Sequence, residues 1–139
     1  MNEVEALSAM AAFLPSLEAR DFEAGRIRDP EQLNATTWSL PSAELGKTAS
    51  RFVHMAYDHD WVVSFDWMEW AGTEEARRLT GDPDAVASSD IEQLRRLVTM
   101  CVRRDRFSEG ALLGDFQSGL IIRIVRRAAE LHSEVARGA

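Results

Sequence analysis

The sequence predicts a mainly α fold: a small helical bundle of about five to six helices, with a short two-stranded ribbon near residues 22–40 as an addition. Three observations carry this. Apolar residues recur at spacings of three and four through most of the chain. Helix-start signatures precede several of these stripes. Strand-like β-branched and aromatic content is confined to one stretch before residue 41. At 139 residues, one globular domain over 1–139 is the expectation.

The elements follow in order. Val4, Leu7, Met10, Ala11 and Leu14 form a helical stripe, and Asn2 with Glu5 has the spacing of a capping box. Pro15 breaks or kinks that element, and Ser16 is placed to restart a short turn. "FEAGRI" and "TTWSL" read as two strands around a turn at Asp29-Pro30. From Pro41 to Asp58, Leu45, Ala49, Phe52, Val53 and Ala56 fall in helical register. Asp66 is placed as an N-cap, with Glu69 at the third helical position, opening a helix to about Leu79. After "GDPDA" turns the chain, Ser89 or Asp90 caps the clearest helix, 90 to about 105, with Ile91, Leu94, Leu97, Val98, Cys101 and Val102 inward. Ser108 is expected to cap a shorter helix ending near Ser118-Gly119, and a last helix runs from about 120 to 135. The expected core gathers Phe52, Trp61, Phe65, Trp67, Trp70, Leu94, Leu97, Val98, Phe107, Leu112, Phe116, Ile121 and Val125.

Composition narrows the function classes. No apolar run approaches the length of a membrane span, and the N-terminus lacks the basic start of a secretory signal, so a soluble cytoplasmic protein is expected. Cys101 is the only cysteine, which excludes an internal disulfide and a cysteine-based zinc site. The net charge of −7 is uneven: residues 1–90 hold 17 acids and 7 bases, whereas 91–139 hold 6 acids and 9 bases, all arginine. Acidic and basic halves packing on each other is the plainer account; a contact surface for an anion is the sharper one.

Four constellations bear on chemistry. The three tryptophans of "WVVSFDWMEW" at 61–70 fit the corner of a core better than a solvent-facing stacking platform. In "RRDRFSEG", Arg103 and Arg106 lie near a helix end and Glu109 in the first turn of the next helix. Pairing of either arginine with Glu109 or Asp66 would make a structural clamp. Left unpaired, the guanidinium groups would recognise a small anion, with Asp66 orienting an arginine and Trp70 forming a wall. His54 and Asp58 share a helix face, but no further ligand follows at a useful spacing, so no metal site is assigned. Arg123, Arg126 and Arg127 fall on one polar face of a segment that superficially resembles the recognition helix of a helix-turn-helix, a nucleic-acid reading that the net charge opposes. No serine–histidine or cysteine–histidine signature and no glycine-rich phosphate loop is present, so no catalytic residue and no cofactor is assigned.

Three stretches, "FDWMEW" at 65–70, "DIEQLRRLVTMCVRRDRFSEG" at 90–110 and "FQSGLIIRIVRR" at 116–127, resemble a bacterial domain-of-unknown-function family, number 6508. The residues carrying the resemblance are Phe65, Asp66, Trp67, Trp70, Val102, Arg103, Arg106, Phe107, Glu109, Gly110, Leu112, Gly119, Ile121 and Ile124. It covers about residues 61–132 and is looser before them. One departure matters: the histidine expected after Glu109-Gly110 is Ala111 here, which removes any role resting on that imidazole. The resemblance implies a fold and no activity. The function expected is a non-catalytic interaction or regulatory domain that binds a protein partner or forms a homo-oligomer. The alternatives are a small-anion-binding domain or enzyme using Arg103, Arg106 and Glu109, and nucleic-acid binding through the C-terminal arginine helix.

Overall fold

Most of the chain folds into short helices, because capping residues and turns cut it repeatedly. The computed structural model describes residues 2–40 and 42–138. Pro41, which opens the third helical stretch in the sequence reading, lies outside the described residues.

Helix α1, Glu3–Ala11, begins where the Asn2 side chain accepts a hydrogen bond from the Val4 amide at 2.9 Å. Helix α2, Leu14–Glu18, carries Pro15 in its first turn. There the missing N–H costs nothing, so the proline starts a helix instead of only ending one.

The ribbon is present, but its second strand differs from the one expected. Strand β1, Gly25–Arg28, pairs antiparallel with β2, Ser42–Leu45, in the register Gly25↔Leu45 to Arg28↔Ser42. "TTWSL" contributes only an isolated bridge, Gln32↔Trp38. Burial explains the choice: Ala43 and Leu45 pack against the core, whereas residues 36–38 and Leu40 are exposed. Gly25 permits the close pairing, since a Cβ there would collide with the Glu44 carbonyl.

Because β2 runs to Leu45, helix α3 starts only at Lys47 and spans Lys47–Asp58, burying Ala49, Phe52, Met55 and Ala56. The single helix expected over 66–79 is two: α4, Trp67–Ala71, and α5, Glu74–Gly81. Thr73 divides them, accepting from the Ala76 amide at 3.2 Å while its hydroxyl donates to the Trp70 carbonyl at 2.6 Å. Helix α6, Pro83–Ala87, fills the turn before Ser89. Asp90, not Ser89, caps α7, Ile91–Arg104, through a reciprocal box with Gln93.

Helix α8, Ala111–Gln117, starts at Gly110 (φ 92°), without the Ser108 cap that was expected. Asp105 substitutes for it: its carboxylate accepts the Leu112 amide at 3.1 Å. Helix α9, Leu120–Gly138, lies along α1, with α2, α6, α7 and α8 also against it.

The core centres on Trp61 and Phe52. Trp61 is fully buried, and its indole N–H donates to the Ala6 carbonyl at 3.0 Å. Thr99 accepts the Val63 amide and donates to the Trp61 carbonyl, which pins the segment after α3 to α7. Phe52 meets Phe13 and Phe116 edge-on at 5.7 and 5.4 Å. Four expected core residues are not enclosed, although Trp67 and Trp70 still pack against the core from its edge. Phe65, Trp67 and Trp70 are only partly buried, and Phe107 is 73% exposed. Leu79, Val86, Met100 and Leu113, absent from the expected core, take up interior space instead, and Ile124 is buried on α9 as its stripe predicts.

Candidate functional site

Arg103 and Arg106 come together at the corner between the end of α7 and the start of α4. Arg103 stands in the last turn of α7, with its guanidinium 5.9 Å from the Tyr57 ring centroid. The chain then turns tightly, the Arg106 amide donating to Arg103 and the Phe107 amide to Arg104. Those turns throw Phe107 outward onto Trp67, with ring centroids 6.1 Å apart. Between these groups lies a concavity of about 290 Å³, lined by Arg103, Arg106, Phe107, Trp67, Met68 and Phe65 among others. Met68, on its rim, is 57% exposed. Among the described residues, neither Arg103 nor Arg106 has a carboxylate within 4.0 Å; every ion pair present belongs to other arginines.

The other three residues grouped with them are engaged elsewhere. Glu109 accepts the Ala43 amide at 3.2 Å, tying the start of α8 to the ribbon. Asp66 caps α4 by accepting the Glu69 amide at 3.1 Å. Trp70 donates its indole N–H to Glu75 at 2.8 Å and sits edge-on to Phe65, behind the concavity.

Two constellations were not foreseen. Glu75 bridges the Trp70 indole and Arg96, the latter at 3.1 Å; the indole hydrogen bond first, and Arg96 with it, holds its carboxyl below the usual range against the opposing effect of burial. Deeper in, Arg104 donates from one nitrogen to both oxygens of Asp115, at 2.8 and 2.9 Å. Burial pushes the Asp115 carboxyl up, and the Arg104 guanidinium opposes this without cancelling it. The buried Cys101 thiol is pushed well up by burial and by Asp115, leaving it a poor nucleophile. A signal for this cluster existed: Asp115 interrupts the apolar stripe Leu112, Leu113, Phe116. A cavity of about 220 Å³ beside it is lined by Thr80, Met100, Arg104 and Asp115.

The arginines of α9 divide among partners. Arg127 donates to the Ser89 carbonyl at 2.8 Å and pairs with Glu130 at 3.2 Å. Arg126 reaches Glu18 at 3.5 Å, and Arg123 is half-buried. They do not make one continuous exposed strip. His54 and Asp58 are exposed, and among the described residues no three histidine, cysteine or acidic side chains gather as a metal site. No described helix is long and apolar enough to cross a membrane. A larger groove of about 610 Å³ runs between the ribbon and the start of α3, where Asp21, Glu23 and Glu44 face Arg26 and Lys47. Its arginine is already engaged, Arg26 pairing with Glu44 at 3.1 Å. The arginine corner is therefore the better candidate.

Fold and corner together define a small mainly helical domain with an arginine- and aromatic-lined surface concavity. The chain belongs to the Family of unknown function (DUF6508), whose model matches residues 2–134. The match reaches back through the ribbon and the first two helices, well beyond the part that resembled the family in sequence. No curated protein and no solved structure matches the chain.

Proposed function

We propose that this chain is a non-catalytic interaction domain whose contact face is the corner formed by Arg103, Arg106, Phe107 and Met68, and whose partner is a protein. The observation that carries this is Phe107: a phenylalanine 73% exposed, tilted against Trp67 and flanked by two arginines without carboxylates. Burying such a ring stabilises a complex by roughly 1.5–3 kcal/mol in transfer terms, and arginine beside aromatic side chains is the composition enriched at the centres of protein interfaces. The position of Glu109 argues against an acid–base site here, because its carboxylate holds the ribbon amide of Ala43. The split partners of Arg126 and Arg127 lend the nucleic-acid reading no support.

The test places the photo-crosslinking residue p-benzoylphenylalanine at Met68 in the full chain, expressed in its host. A discrete protein adduct is expected at Met68 and not at the exposed control position Glu130, and Phe107→Ser abolishes it. Absence of any protein adduct, or one that survives Phe107→Ser, sinks the reading. An adduct removed by nuclease points to nucleic acid instead. The free arginine pair also suits a small carboxylate or phosphate; a thermal shift with inorganic phosphate that vanishes in Arg106→Ala would favour that reading.

A further inference from the structure

The exposed apolar side chains are not scattered. Of the nine large ones among the described residues, Tyr57, Met68 and Phe107 surround the arginine corner, and Ile27, Leu33, Trp38 and Leu40 lie on or between the ribbon strands. The segment 29–40 between the strands carries Asp29 and Glu31 and no base, and neither acid is ion-paired among the described residues. Trp38 and Leu40 are 60% and 85% exposed.

This segment is ordered without any packing beneath it. The Glu31 amide donates to the Ser39 hydroxyl at 2.7 Å, the Ser39 amide to the Glu31 carbonyl at 2.8 Å, and the Leu33 amide to the Thr37 carbonyl at 2.8 Å. A preorganised tip displaying a tryptophan, a leucine and two carboxylates loses little entropy on docking. The corner offers what it lacks: an apolar wall of Phe107 and Met68 beside two unpaired guanidinium groups.

We infer that the occupant of the arginine corner is the 29–40 tip of a second copy of this chain, Asp29 and Glu31 answering Arg103 and Arg106 while Trp38 and Leu40 cover Phe107 and Met68. This rests on the interaction-domain reading and names its partner. The ribbon that carries the tip is anchored beside the corner. Glu109 grips Ala43, and Gly110 lies where a Cβ would come within 3.9 Å of Ile27, only three residues from Phe107. With the ribbon rooted beside the corner, a two-fold axis lets each copy's tip reach the other's corner, so the contact is made twice and closes.

The experiment is sedimentation velocity of the full chain over a wide concentration range. It compares wild type with Phe107→Ser, Trp38→Ser and the double variants Arg103→Glu/Arg106→Glu and Asp29→Arg/Glu31→Arg, each checked for helical circular dichroism. Wild type is expected to dimerise, and each variant to raise the dissociation constant about tenfold or more. Mixing the double variant Arg103→Glu/Arg106→Glu with Asp29→Arg/Glu31→Arg is expected to restore the dimer, because both contacts of the heterodimer are then complementary. A rescue also shows that both variants fold. A wild type that stays monomeric throughout overturns the inference, as does a dimer that persists in Phe107→Ser and Trp38→Ser, or a mixture that fails to reassociate. A dimer lost in Phe107→Ser but kept in Trp38→Ser overturns the occupant while leaving the corner as an interface. A monomeric wild type whose Met68 adduct contains a different polypeptide does the same, and loss of both dimer and adduct overturns both readings.

Discussion

Two phenylalanines nine positions apart have opposite fates. Phe116 lies on the inner face of α8 between Phe52 and Phe22, while Phe107 points out of the preceding turn. Helical periodicity identified Phe116 as core; no periodicity governs a turn, and Phe107 was misplaced there. Phe116→Ala is expected to cost about 3–5 kcal/mol and Phe107→Ser less than about 0.5 kcal/mol, read as urea midpoints of the two variants against wild type. Equal losses would put Phe107 back in the core. Asp115 yields a second expectation at this scale. Its folded carboxyl titrates above the ordinary value, so between the two values the folded chain keeps a proton that the unfolded chain has lost. Linkage then makes this group's contribution greatest at acid pH, falling as pH rises through that window and flat above it. Stability of wild type relative to Asp115→Asn, measured in urea from acid to neutral pH, is expected to fall with rising pH; a rise would mean that Arg104 outweighs burial.

At the scale of elements, the caps read correctly were local ones, although Thr73, just as local, was hidden inside an expected helix, and a cap supplied from further along the chain was opaque. Asp66, and Asp90 with Gln93, sit three residues from the amides that they serve or exchange bonds with, a spacing visible in the sequence. The α8 cap comes from Asp105, seven residues before Leu112, across a turn that the tertiary fold sets. Asp105→Ala is accordingly expected to cost about 1 kcal/mol, while Ser108→Ala, the cap read from sequence, leaves stability within about 0.5 kcal/mol. Thermal melts of the two variants decide between them: equal losses would restore the local reading. The ribbon follows the same logic. "TTWSL" has strand composition, yet the strand forms at Ser42–Leu45, where alternate side chains find the core and Glu109 takes the outward Ala43 amide. That a strand forms at Ser42–Leu45, a run with helical register in the sequence, is supported by Glu109 just before α8, a contact that spans 66 residues.

For the whole molecule, the acidic and basic parts of the chain are only partly reconciled within one copy. Glu18 and Glu75 meet arginines of the C-terminal third, as Arg126 and Arg96, but Arg103 and Arg106 meet none. The mainly helical class was legible because it rests on stripes repeated along the chain; the arrangement was not, because it depends on α1 lying along α9 from opposite ends of the sequence. That long-range pairing has a mechanical consequence. The 29–40 tip presents Trp38 and Leu40 to solvent, so chymotrypsin is expected to cut first near them. The released N-terminal piece carries α1, whose Leu7 and Met10 are buried and whose Ala6 carbonyl accepts the Trp61 indole. The two fragments should therefore co-elute in gel filtration with the helical signal of the intact chain, separating only in denaturant. Fragments that part in buffer would mean that the ribbon connection, not the α1–α9 contact, holds the N-terminal helices in place. If the tip also docks on a second copy, the fraction of tips cut per unit time falls as protein concentration rises at a constant, unsaturated protease concentration, whereas a free tip is cut with an unchanged rate constant.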